Sequence, residues 1–144
     1  AKRNLKKAGK IVIGSPNFQS FEFHWARQYW FHLQPQFHLW HFSPKSLKML
    51  LMKNGFTIES SDYWAIEHHL TGVLQSFISK TAKSKENALH RIIKRQQGSS
   101  GAKLNELLWS LFFLTIGFPI IFIFWMVGAL AKKSGTMVVV ASPK

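Results

Sequence analysis

The residues in this chain best suited to chemistry are its histidines. An unperturbed imidazole titrates near neutral pH, so a well-placed His can take or give a proton under ordinary conditions. His38 and His41 lie three apart and His68 and His69 are adjacent, within a total of seven. Cys is absent and no carboxylate pattern accompanies either pair, so the spacing predicts no metal site. His24, His32 and His90 follow no pattern. His38 closes a Pro35-Gln36-Phe37-His38 turn just before a helix start at Phe42-Ser43-Pro44. There an imidazole could exchange a proton, or else pin its loop through a hydrogen bond. The surrounding stretch, 18–42, is dense in aromatic residues. Trp25, Trp30 and Phe31 either wall an apolar pocket or form plain core. The chemistry within reach is proton transfer by an imidazole beside aromatic faces, and such faces also favour cations.

The flanking elements that would position these groups are well punctuated. Residues 1–8 read as the tail of a basic helix stopped by Gly9. The β-branched run Ile11-Val12-Ile13 predicts a short strand over 10–14, buried on both faces as in a parallel sheet. Ser15-Pro16-Asn17 breaks it. A short helix is expected near 20–31, followed by an irregular packed loop. Ser43 is a good N-cap and Pro44 suits the first helical position. Leu47, Leu50 and Leu51 then make an apolar stripe, and Gly55 ends the helix. Phe56–Ser60 alternates as a strand does, and 63–79 is partly periodic, with Trp64, Leu70, Val73, Leu74, Phe77 and Ile78 apolar. Residues 80–97 are basic and helical in composition, Gly98–Gly101 is a flexible linker, and Met137–Ala141 is a final strand.

Residues 107–131 carry no charge. The run is long enough to cross a bilayer, but Gly117-Phe118-Pro119 interrupts it. Each half would rise only about 18 Å as a helix, short of a core of about 30 Å. A re-entrant apolar hairpin is therefore expected. Arg91, Lys94, Arg95 and Lys103 precede it and Lys132 and Lys133 follow, so both ends belong on the cytoplasmic side. Burial of the hairpin in a protein core is the other possibility, although a domain of this size offers little shell for it.

Charge and composition narrow the class. The chain has 144 residues, 19 Lys+Arg against 6 Asp+Glu, and a formal charge of +13. That balance favours anionic partners: acidic lipid, acidic protein or nucleic acid. No nucleic-acid recognition motif is present, so nucleic acid is not expected. At 47% hydrophobic the chain is too apolar for a disordered basic tail. Residues 1–10 are basic and polar with no apolar stretch behind them and do not read as a secretory signal. The opening at Ala1, in what reads as the end of a helix, points to an incomplete or processed product.

The order and spacing of these pieces resemble the C-terminal half of a class I S-adenosylmethionine-dependent methyltransferase of the small-molecule type. The resemblance covers 1–60 and 134–144. It rests on the strand and loop Ile11–Asn17, Pro35-Gln36-Phe37-His38, Phe42-Ser43-Pro44, Gly55-Phe56 and the Val-rich end. Gln34 and Gln36 stand where the family often has an acid and an Arg. The resemblance implies an α/β fold: the last three strands of a Rossmann-like methyltransferase sheet, the final one antiparallel between the other two, with the apolar hairpin inserted before it. It divides the chain into 1–97, a linker and membrane-associated hairpin at 98–133, and the final strand at 134–144. It places Asn17, Ser20 and His38 at the mouth of a substrate site, His38 as base, with Trp25, Trp30 and Phe31 as walls. The implied cofactor is S-adenosylmethionine and the implied acceptor a small, apolar or membrane-associated molecule. The Gly-x-Gly-x-Gly loop and the acidic ribose-binding residue of the family have no counterpart here. The alternative is a non-catalytic membrane-associated subunit or remnant, docked on a partner chain that carries the cofactor half.

Overall fold

The predicted strands do gather in one sheet, and its buried apolar core lies on one face. The computed structural model describes residues 5–6, 8–34, 38–64, 66–84, 87, 89 and 104–144, with 66–69 described by backbone alone. Among these the fold is mixed α/β. Its elements are β1 (Ile11–Pro16), α1 (Phe21–Ala26), a 3-10 turn (Arg27–Tyr29), α2 (Pro44–Lys53), β2 (Phe56–Asp62), α3 (Ile66–Ala82), α4 (Leu104–Thr115), α5 (Phe118–Leu130) and β3 (Thr136–Pro143). Most of 1–8, the Pro35–Phe37 part of the turn, the greater part of 80–97 and the Gly98–Gly101 linker lie outside the described residues.

The sheet order is β1–β3–β2, and β3 runs antiparallel to both neighbours. The final strand thus lies between the other two. Ile11 pairs with Ala141 and Pro16 with Thr136, while Phe56 pairs with Pro143 and Asp62 with Val138. The carboxyl ends of β1 and β2 therefore share the end of the sheet at which β3 begins. Alternation places Met137, Val139 and Ala141 on one face, fully buried against Leu47, Leu51, Phe56 and Tyr63, with Ile11 and Ile13 packed beside them. Burial of β1 on both faces is not found: Val12 is 68% exposed. The reason is geometric, since α2 covers only the face that carries Ile11 and Ile13.

α2 forms as its residue types dictate. Ser43 caps it by accepting the Ser46 N–H (3.1 Å), and Ser46 Oγ returns the favour to the Ser43 N–H (2.9 Å). Pro44 occupies the first turn, and Gly55 takes the left-handed conformation at φ 76° just past the end. Leu47 and Leu51 face the sheet, but Leu50, expected on the same stripe, is 46% exposed. The buried contact is the narrow i, i+4 seam.

A second core lies in the helices. Val73, Leu74, Phe77 and Ile78 of α3 pack on Phe113 of α4 and on Ile121 and Trp125 of α5. α3 begins later than the apolar period predicts, so Trp64 precedes it and stands 43% exposed, edge-on to Trp125 at 5.7 Å. α1 is shorter than the expected 20–31 helix because Arg27 adopts φ 54° and breaks it. α4 and α5 do not fold back into a hairpin. They meet at a bend of 74°, an elbow in which Pro119 sits in the first turn of α5, where its missing N–H costs nothing. Among the described residues no single helix is long and apolar enough to cross a membrane.

The placement of α2 is testable by paired truncation. Leu51→Ala should cost about 2–5 kcal/mol in denaturant unfolding. Leu50→Ala should stay within about 0.5 kcal/mol. Similar losses at both positions would mean that the helix is rotated from this packing.

Candidate functional site

The loop leaving β1 is held in place by its own polar side chains. The Asn17 Nδ2 donates to the Ser134 carbonyl (3.0 Å), and its Oδ1 accepts the Gln19 N–H (3.0 Å). The Asn17 backbone N–H donates to the Gly135 carbonyl (2.8 Å), and the Phe21 N–H to the Lys133 carbonyl (3.0 Å). Ser20 Oγ accepts the Phe23 N–H and so caps α1. Asn17 and Ser20 are both fully buried. At this position they shape the loop rather than open onto solvent.

Above this loop the aromatic residues form a bed centred on Trp30. Phe23 meets Trp30 edge-on at 5.3 Å and lies 4.0 Å from Phe18. His32 and His41 flank the same indole at 5.3 and 5.9 Å between ring centroids. His41 is fixed by a ring-nitrogen contact to the His32 carbonyl (3.1 Å) and stands 6.2 Å from His38. His38 itself is half-buried at the rim, its backbone N–H bonded to the Gln34 carbonyl (2.9 Å). Partial burial, and secondarily the neighbouring His41, push its pKa below the ordinary imidazole value. A neutral ring near pH 7 is the form able to accept a proton. His32 depends on a close approach, because a Cβ at Gly72 would lie only 2.9 Å from its Nε2.

The structure therefore brings Trp30 and His38 into one neighbourhood through His41, over the loop held by Asn17 and Ser20. Phe31 borders it through His32 (5.1 Å). Trp25 is elsewhere: it stacks on Phe77 at 4.1 Å beneath the Lys80 ammonium, which also donates to the Trp25 carbonyl, and belongs to the helical core. Among the described residues no group of three His, Cys, Asp or Glu side chains is placed to hold a metal ion.

Sequence reasoning missed the most perturbed group, Glu22. Its side chain is fully enclosed under Trp30. Ser76 of α3 donates to its Oε1 (2.7 Å) and also accepts the Phe31 N–H (3.0 Å), so one hydroxyl ties Glu22, the aromatic segment and α3 together. The other oxygen abuts Gly135 so closely that a Cβ there would overlap it. Oε2 and the Trp30 indole nitrogen make no hydrogen bond within geometric limits, although the indole N–H lies near enough to favour the charged carboxylate somewhat. Burial dominates and raises the Glu22 pKa from 4.5 to about 7. The available signal was an acid set between two aromatics in an acid-poor chain, Phe21-Glu22-Phe23. Its meaning lies in Ser76, which is 54 positions away.

No family model matches this chain, and no curated protein or solved structure resembles it at a significant level.

Glu22 contributes a fall in stability with rising pH, to which the lowered pKa of His38 adds an opposite slope below its ordinary value. Below about pH 4.5 the carboxyl is protonated in both folded and unfolded chains. Between about 4.5 and about 7 the unfolded chain releases the proton while the folded chain keeps it, so stability falls as pH rises. The loss levels off above 7 at about 3 kcal/mol. Glu22→Gln should flatten this slope in urea unfolding followed across pH. An unchanged slope in the variant would show that Glu22 is not the titrating group.

Proposed function

We propose that this chain is the C-terminal portion of an S-adenosylmethionine-dependent methyltransferase. It would act on a small, apolar or membrane-associated acceptor at the cytoplasmic face of a membrane. The observation that carries the reading is the sheet: two parallel strands with an antiparallel one between them, and the His and aromatic bed at the carboxyl end of β1. In open α/β sheets ligands bind outside the carboxyl ends of the strands. The strand order also agrees with the arrangement that the resemblance implies for the end of a Rossmann-like sheet, with the apolar segment inserted before the last strand.

Methyl transfer is an in-line displacement, so the acceptor must be held close and aligned. In this reading Trp30 and Phe31 border the acceptor site, and His38 at the rim takes the acceptor's proton. Asn17 and Ser20 fix the loop on which that site stands. The described residues do not fit the cofactor on their own. Glu59 is bonded to Lys10 (2.6 Å), Asp62 accepts the Trp64 N–H, and Glu22 and Glu106 are buried. None of these acids is placed to meet ribose hydroxyls. The reading therefore assigns the cofactor to chain beyond the described residues or to a partner.

One observation favours a second reading, in which this chain is a subunit docked on a partner carrying the cofactor half. β1 is an edge strand with Val12 exposed, and an apolar edge of this kind is a liability unless covered.

Both readings are tested by capturing the natural product from its source cells and photocrosslinking it with tritiated S-adenosylmethionine. Label on a polypeptide that contains this sequence and is heavier than 16.6 kDa supports the enzyme. Label on a different, copurifying chain supports the docked subunit. Absence of label from every copurifying species would remove methyl transfer from consideration.

A further inference from the structure

The polarity of α4 is inverted. It buries Glu106 and Ser110 along with Phe113, and it exposes Leu104, Leu108, Leu111 and Leu114. A helix facing water does the opposite. Helices facing lipid keep polar side chains between helices, where they act as glue, and turn apolar ones outward. The α3–α4 seam has that character. Glu106 accepts from Ser84 Oγ (2.8 Å) and Gln75 Nε2 (3.5 Å), and Ser110 Oγ donates to the Glu106 carbonyl (2.7 Å).

We propose that the outer face of the α4–α5 elbow lies in the hydrocarbon of one leaflet of an anionic membrane, entering and leaving on the same side. The proposal deepens the membrane part of the reading above and does not depend on methyl transfer. Four observations select lipid as the occupant. The limbs have 12 and 13 residues, about 18–20 Å each, and bend by 74°, so the elbow dips into a core of about 30 Å without crossing it. Two backbone bonds bridge the bend and leave fewer of its groups for hydrocarbon to strand: the Gly117 N–H donates to the Phe112 carbonyl (3.0 Å) and the Ile121 N–H to that of Gly117 (3.1 Å). The exposed polar side chains of the two helices, Asn105 and Thr115, are both turned onto backbone carbonyls. The face therefore offers a protein partner few of the hydrogen bonds that protein interfaces carry. Finally, Lys132 and Lys133 emerge exposed just where α5 ends, at the level of the headgroups, in a chain of charge +13.

The test uses the whole chain with phosphatidylcholine vesicles made with and without phosphatidylglycerol. Residues 1–144 hold no Cys, so an environment-sensitive fluorophore can be placed on single Cys substitutions at Leu111, Ile116 and, as a control, Lys53. The labels at Leu111 and Ile116 should be quenched by doxyl lipid and shielded from iodide, with the reverse at Lys53. Leu111→Ser/Ile116→Ser/Ile120→Ser should lower vesicle flotation by at least about tenfold with an unchanged circular dichroism spectrum. Lys132→Glu/Lys133→Glu should weaken binding chiefly to the anionic vesicles. Iodide quenching at Ile116 equal to that at Lys53, with no flotation, would overturn the proposal. Shielding from both quenchers in a self-associated oligomer or a protein complex would overturn it too, by showing that protein covers this face.

Discussion

Three successive backbone carbonyls, those of Lys133, Ser134 and Gly135, are taken up by donors from the segment Asn17–Phe21. The rest of the structure depends on this clasp. β3 is the middle strand, and it reaches the slot between β1 and β2 only after the chain has run through α3, α4 and α5. The clasp fixes where that long excursion returns. It also fixes the loop that carries α1 and, beyond it, the aromatic bed. Sheet order, helical layer and candidate site are thus set by one short stretch of buried polar contacts. Each contact matters because a buried carbonyl left without its donor costs about 1–3 kcal/mol.

The helical layer is organised around buried acids in a chain that has few. Glu22 and Glu106 lie against different parts of α3, one bonded to Ser76 and the other to Gln75 and Ser84. Neither side chain reaches solvent. Glu22 meets its environment by keeping its proton up to about pH 7. Such groups specify geometry more than they add stability, because their desolvation offsets much of what their contacts contribute. What they specify is the rotation of α3, and with it which residues of α4 and α5 turn outward.

Much of this was legible in the sequence, and for local reasons. Ser43, Pro44 and Gly55 mark α2 because capping and left-handed backbone are decided by neighbours within a turn. Gly117 and Pro119 mark the break in the apolar run for the same reason. The final strand follows from its β-branched residues. What was not legible depends on partners distant in sequence. Val12 reads as buried because β-branched runs usually are, yet nothing in its surroundings says that only one face of the sheet is covered. Leu50 fits the helical period but falls just outside the narrow seam. Trp25 and Trp30 look alike in an aromatic stretch, and only the position of α3 sends one to the helical core and the other to the bed around His41. Glu22 has only its two aromatic neighbours as a local mark, and its burial depends on the distant Ser76. The helices on either side of Gly117–Phe118 pack in one cluster with the distant Phe77 and Ile78, so a break was foreseeable where an elbow was not.

The most direct test of the clasp is hydrogen exchange on Asn17→Ala, which removes the side chain that holds the Ser134 carbonyl and the Gln19 amide. If the clasp governs how the chain returns to the sheet, amides across β3 and α1 should lose protection together, while those of α2 change least. Loss of protection confined to residues 18–20 would contradict the account and reduce the clasp to a local loop contact.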